Sequence, residues 1–201
     1  YNMSTLKQLF EEQTAKKVES EIQMAVSGSN RKYFRLQGGG ETLIGVTGTS
    51  KEENTAFIEM TKHFTKKGLP VPHFVGASED NLLYLQEDLG DVLLFDYVKK
   101  GRQTRLFSSH EKTMLHKTME ILPKFQVVGA QGFDFSICYP QPEFNKRSVL
   151  WDLNYFKYCF LKPSGLDFQE NILEDDFDKL ADALLAVPSE TFMYRDFQSR
   201  N

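Results

Sequence analysis

The sequence is poor in the features that mark several large classes of protein. It has two cysteines, Cys138 and Cys159, and no C-x-x-C pair, which leaves neither a disulfide scaffold nor a cysteine-based zinc or redox motif. No apolar run approaches the ~20 residues needed to span a membrane, and no signal-peptide pattern is present. Together with the free thiols, this points to a reduced, cytoplasmic setting. There is no surplus of positive charge. Lys and Arg number 24 against 28 Asp and Glu, a net charge of -4, so nucleic acid is not the expected partner. His63, His73, His110 and His116 lack a ligand spacing such as H-E-x-x-H, and no G-x-G-x-x-G loop occurs. Internal repeats and low-complexity tracts are also missing.

What is present suits a packed globular chain. The 201 residues fit one domain of ordinary size or two small lobes around a cleft. Aromatics reach 13%, with 17 Phe, which favours a dense core over disorder. Leu6, Leu9, Phe10 and Gln13 recur at helical spacing within Thr5–Thr14. A mixed strand over Val18–Val26 runs into the turn cluster Ser27-Gly28-Ser29-Asn30. Tyr33–Leu36 and Thr42–Val46 read as strands joined through Gly38-Gly39-Gly40. Ser50 with Glu53 has the form of a capping box, and Phe57, Met60 and Phe64 follow on one helix face that Gly68 ends. Leu69-Pro70-Val71-Pro72 must be extended, since each Pro pushes its predecessor out of helical space. Short strands near Phe74-Val75 and Leu82–Gln86 lead into a polar hinge, Glu87-Asp88-Leu89-Gly90-Asp91. The charges of Glu87 and Asp88 read as solvated or capping groups, and Asp91 as the cap of the next helical segment.

Beyond the hinge the pattern turns helical. Leu115, Leu122 and Phe125 share a face within Glu111–Phe125. Leu150, Leu153, Phe156 and Phe160 do so within Ser148–Leu161, and Phe177, Leu180 and Leu184 mark a third helix that Pro188 ends. Thr191–Tyr194 is a short β-prone run. The expected class is therefore α+β, with a β-rich part over 1–90 and a helical part over 91–201.

The last ten residues, Phe192-Met193-Tyr194-Arg195-Asp196-Phe197-Gln198-Ser199-Arg200-Asn201, place an Asn five positions after an Asp. Phosphoryl transfer needs a carboxylate to orient a hydroxyl and oxygen ligands for the Mg²⁺ carried by the nucleotide, and a D-x-x-x-x-N loop offers both. Taken alone, the spacing is equally that of a solvated Asx-type turn.

The context resembles a known family. Tyr194-Arg195-Asp196 with Asn201 is similar to the H-R-D-x-x-x-x-N loop, with Tyr in place of His. With Ser29–Leu36, Gly68–Pro72 and Leu85–Asp91 in the same order, it resembles the aminoglycoside phosphotransferase and choline kinase superfamily. The likeness is nearest to bacterial kinases of the anomeric hydroxyl of N-acetylmuramate and N-acetylglucosamine. The resemblance implies a two-lobed protein-kinase-like fold, a nucleotide-binding lobe over 1–90 and a substrate and catalytic lobe over 91–201. It implies ATP and Mg²⁺ as cofactors and a small hydroxylated substrate as partner, with no nucleic acid and no membrane. By it, Asp196 is the catalytic base and Asn201 a metal ligand. Ser27, Gly28, Ser29, Asn30 and Arg31 cover the phosphates, while Val46, Gln86, Glu87, Asp88 and Leu89 receive the adenine. Asp152, Tyr155 and Arg200 are candidates for the acceptor, with Trp151, Asn154 and Tyr158 near them.

The chain departs from the pattern at two points. The strand position that carries a phosphate-binding Lys falls on Gly45, and its partner carboxylate falls near Phe57, between Glu53 and Glu59. Either Arg31, Lys32 or another nearby cation replaces the Lys, or the chain is a nucleotide-binding module that no longer catalyses. The second metal-binding Asp and further helices of the family are not among these residues. Inefficient transfer by this chain, and self-association through exposed apolar surface, are therefore expected.

Overall fold

The computed structural model describes residues 5–25, 30–188 and 190–201. A five-stranded antiparallel sheet forms the first part, with strand order β1-β2-β3-β5-β4. Its strands are β1 (Ser20–Gln23), β2 (Lys32–Gly38), β3 (Glu41–Thr47), β4 (Phe74–Ala77) and β5 (Leu83–Glu87). Helix α1 (Leu6–Thr14) precedes them and α2 (Lys51–Lys66) lies between β3 and β4. The β2–β3 hairpin turns through Gly39 and Gly40, at φ 56° and 77°. Both signs are positive, as the tight two-residue turn between Gly38 and Glu41 requires.

Each face of the sheet has its own helix. Alternation along β3 sends Leu43 to one side and Ile44 and Val46 to the other. Leu6, Leu9 and Phe10 of α1 bury Leu36, Leu43 and Leu85. Ile58 of α2 buries Ile44, Val46 and Tyr84 on the opposite face. Helix α1 is fixed by a true capping box: Gln8 N donates to Thr5 Oγ1 at 3.2 Å, and Thr5 N donates to Gln8 Oε1 at 2.8 Å. Helix α2 keeps only half of the box expected for it. Ser50 accepts from Glu53 N, but the Glu53 carboxylate turns to Arg31.

The second part is helical: α3 (Leu94–Tyr97), α4 (Lys99–Thr104), α5 (Ser109–Val127), α6 (Lys146–Phe156) and α7 (Glu170–Leu185). The helix expected to run on to Leu161 changes after Phe156 into a π turn over Lys157–Leu161. Lys157, only 4% exposed, is held there between Glu170 at 2.5 Å and Glu174 at 2.6 Å, which ties α6 to α7. A third apolar cluster joins the two parts of the molecule. Phe64 of α2, Leu69 and Phe125 of α5 form its centre, with Phe192 packed on it.

Two further expectations change. Asp91 does not cap a helix. Helix α3 begins after Leu93 without a side-chain cap, and the Asp91 carboxylate binds Arg35 instead. Thr191–Tyr194 forms no strand, because the Phe192 amide donates to the Gln126 carbonyl at the end of α5 at 2.9 Å. Trp151, Tyr155, Phe156 and Phe160 remain exposed along α6 and its π turn. Among the described residues no helix is long and apolar enough to cross a membrane.

Candidate functional site

The C-terminal loop is suspended from the third apolar cluster. The Phe192 ring meets Phe64 edge-on with centroids 5.0 Å apart, and Tyr194 meets Phe125 at 5.3 Å. Four residues beyond Phe192, Asp196 sits at φ 52°. That left-handed conformation costs a non-glycine residue of order 1 kcal/mol, least for Asp and Asn. The loop closes on it: Asn201 Nδ2 donates to the Asp196 carbonyl at 2.8 Å. Arg195 is fixed by two bonds from Nη2 to the Asp152 carboxylate, at 2.8 and 2.7 Å. The far end of the loop docks on α3, where Phe95 N donates to Ser199 O at 2.9 Å. The Asp196 carboxylate itself is exposed and makes no hydrogen bond or ion pair among the described residues.

Beside the sheet, a cation and a carboxylate meet that the sequence offers as replacements for the displaced pair. Arg31 Nη2 lies 3.1 Å from Glu53 Oε1, and its guanidinium stands 5.3 Å from the centre of the Phe57 ring. Gly45, matched to the position of the strand Lys, offers no side chain. A Cβ built there would point to the α1 side, 2.9 Å from Leu36 and 3.0 Å from Leu6. Ile44 and Val46 occupy the α2 side. Glu59 pairs with Lys62 on the helix surface. Ser27, Gly28 and Ser29 of the expected phosphate loop lie outside the described residues, and Asn30 beside them is exposed.

The hinge is built around an arginine that sequence reasoning passed over. Arg35 of β2 sends Nε and Nη2 to Asp88 at 2.7 and 3.0 Å, and Nη1 and Nη2 to Asp91 at 3.0 and 2.9 Å. Gly90 N adds a bond to Asp88 at 2.9 Å. Asp88 is thus a paired group and not a solvated one, and the Arg35 hydrogen bonds hold its carboxyl below the usual range. Glu87 receives the His73 amide at 3.1 Å. Of the candidate adenine contacts, Val46 is wholly buried against Ile58 and Tyr84, while Leu89 is 67% exposed. Gln86 stands on the α2 face with Ile44, and its Oε1 is buried without a hydrogen-bond partner.

The acceptor candidates do not converge. Asp152 belongs to Arg195, Tyr155 is 72% exposed, and Arg200 lies over the Phe95 ring at 4.1 Å. A cleft of about 650 Å³ opens beside the loop between α2, the Cys138–Asn145 segment and α6, with Arg195, Phe192 and Trp151 in its wall. A metal has little to hold it. No group of three His, Cys, Asp or Glu is suitably placed among the described residues. The Asn201 amide is engaged at both ends, with Gln198 Nε2 3.2 Å from Oδ1. Asn201 is a single candidate contact for a magnesium ion that arrives on a nucleotide.

No family model matches the chain. Over 185 residues it is 23% identical to the N-acetylmuramate/N-acetylglucosamine kinase of Pseudomonas aeruginosa. The match takes in 90% of this chain and 50% of that kinase, so the chain spans about half the length of the relative. This supports a kinase-related origin for the chain.

Proposed function

We propose that the chain is the nucleotide-binding and catalytic-loop portion of an ATP-dependent phosphotransferase acting on a hydroxyl of a sugar or amino sugar. In this reading residues 1–90 form the nucleotide lobe and 91–201 the substrate lobe of a kinase-like fold, working in the cytoplasm. Asp196 orients the acceptor hydroxyl and takes its proton, and Asn201 contacts the Mg²⁺ that ATP brings. Arg31, paired with Glu53, stands in for the strand Lys at the phosphates. The observation that carries the reading is the closed loop at Asp196. A carboxylate with no hydrogen-bond or ion-pair partner among the described residues is presented at a strained position whose carbonyl accepts from Asn201. The same loop is tied to the hydrophobic cluster on one side and to the segment after the hinge on the other.

The test is Asp196→Asn in the full-length protein, assayed for ATP-dependent phosphorylation of N-acetylmuramate and N-acetylglucosamine. Transfer should fall by roughly 10² to 10⁴, with ATP affinity by calorimetry within about twofold, since the base does not grip the nucleotide. Unchanged turnover would sink the assignment. A second reading, a nucleotide-binding module without catalysis, is favoured by the apolar residues Ile44 and Val46 on the α2 face of β3. It calls for ATP binding with no product from either sugar in the unsubstituted chain.

A further inference from the structure

The left-handed φ of 52° at Asp196 is unfavourable even for an Asp, so neighbouring contacts must hold it. Upstream, the Phe192 amide donates to the Gln126 carbonyl and the Tyr194 ring packs on Phe125. Downstream, Asn201 Nδ2 donates to the Asp196 carbonyl, and Phe95 N to the Ser199 carbonyl. Between these tethers stands Arg195, whose peptide unit leads directly into the strained residue. Its side chain is held by α6 and by the segment that leads into α6. Nη2 donates to both oxygens of Asp152, at 2.8 and 2.7 Å, and the guanidinium lies 5.4 Å from the centre of the Phe144 ring.

Asp152 is a firm post for that contact. It lies midway along α6, and α6 is braced against α7 at both ends. Lys146, in its first turn, pairs with Asp178 and Asp182 at 3.0 and 3.1 Å. Lys157, just past its last turn, pairs with Glu170 and Glu174. The start of the helix is capped by Asn145, whose Oδ1 accepts from Ser148 N at 3.3 Å. The Arg195–Asp152 pair itself faces water, with side chains 57% and 50% exposed. An ion pair so exposed adds little to global stability. Its effect is local: it fixes the side chain next to Asp196. An acceptor contact is the competing use of Asp152, but both of its oxygens already accept from Arg195.

We propose that Asp152 is a positioning residue: through Arg195 it sets the orientation of the loop that presents Asp196, and it does not touch the acceptor. This rests on the phosphotransferase reading and adds to it a second carboxylate, on another helix, on which the aim of the base depends.

The experiment compares the full-length protein with Asp152→Ala, Asp152→Glu, Arg195→Gln and the double variant Asp152→Ala/Arg195→Gln. Ala is a strong helix former, so α6 keeps its fold. Steady-state kinetics with ATP and N-acetylglucosamine should show kcat lower by roughly ten- to a hundredfold in Asp152→Ala, the scale of a reacting group displaced by about 1 Å. KM for the sugar and for ATP should stay within about twofold, and Tm within about 2 °C. Asp152→Glu should recover most of kcat, and the double variant should be no slower than the slower single one, because both remove one contact. A raised KM for the sugar with kcat intact would make Asp152 an acceptor contact and overturn the proposal. Losses that multiply in the double variant would do the same. Amide hydrogen exchange of the same proteins reads the brace without catalysis. Exchange across residues 193–200 should quicken in Asp152→Ala and not in Asp152→Glu, with α6 unchanged; a loop that exchanges alike in all of them would overturn the proposal. If the unsubstituted protein yields no product, the phosphotransferase reading fails, and the exchange pattern alone decides for or against the brace.

Discussion

Phe64 is the residue through which the sheet part of the molecule supports the C-terminal loop, and replacing it with Ala should damage both stability and chemistry. Its side chain is 6% exposed. It meets Phe125 edge-on at 5.3 Å and Phe192 at 5.0 Å, and stacks on Phe133 at 6.2 Å. Removing a buried Phe from such a setting costs about 3–5 kcal/mol in lost transfer energy and cavity formation. Domains carry roughly 5–15 kcal/mol in total, so the loss is a large share, and at this size it lowers Tm by roughly 10 °C. Of that cost, about 0.5–1.5 kcal/mol belongs to the ring pair with Phe192, which lies four residues before Asp196. Equilibrium urea unfolding of Phe64→Leu, Phe192→Leu and the double variant isolates the pair, with a coupling of about 0.5–1.5 kcal/mol expected. On the proposed function, phosphoryl transfer in the two single variants should fall more than ATP affinity, because the loop loosens while the hinge is untouched. An Ala variant less than about 1 kcal/mol destabilised, or strict additivity in the cycle, would refute the view that this cluster carries the loop.

Two further outcomes follow from single contacts. Tyr84 is wholly buried and its hydroxyl has no hydrogen-bond partner among the described residues; burial pushes its ionisation well above the usual range. Tyr84→Phe should therefore leave the protein as stable or about 1 kcal/mol more stable, and a lowered urea midpoint would contradict this. Asp88 has its pKa depressed in the folded state by Arg35, so its contribution is complete above the unfolded value of about 3.9 and is lost as pH falls below it. Acid unfolding followed by circular dichroism should steepen below about pH 4 and flatten in Arg35→Gln; identical acid limbs would remove the clamp from the account.

The sheet was legible because its signals are local. Alternation in Tyr33–Leu36 and Thr42–Val46, the Gly pair at the hairpin and the Pro-rich extension after α2 each act within a few residues. The helical part was legible in number and less so in its ends. The periodicity of Leu150, Leu153 and Phe156 continues smoothly into Phe160, yet the backbone changes to a π turn at Lys157 to bring that lysine between Glu170 and Glu174. That choice is made by side chains 13 and 17 residues downstream, which no window on α6 contains. Thr191–Tyr194 has the composition of a strand, but strand formation needs a partner edge, and the backbone donor at Phe192 finds the end of α5 first.

The candidate site divides along the same line. Asp196 and Asn201 could be named from spacing because the bond between them spans one loop. The groups that give the loop its surroundings come from afar: Arg195 is held by Asp152, and Ser199 by Phe95. Arg35 reaches the hinge from 53 and 56 positions away. Successive positions of a strand face opposite sides of the sheet, so Gly45 faces Leu6 and Leu36 while its neighbours Ile44 and Val46 face α2. Of the replacement cations the sequence offers, Arg31 enters from the residue before β2 and meets Glu53, one of the two carboxylates flanking the expected position on α2. Charge pairing is set by energy rather than by position: the guanidinium of Arg31, its side chain 14% exposed, takes the Glu53 carboxylate within reach, whichever element supplies it. A site of this kind is better sought in sequence by asking which charges must be matched than by counting to the place where a relative keeps them.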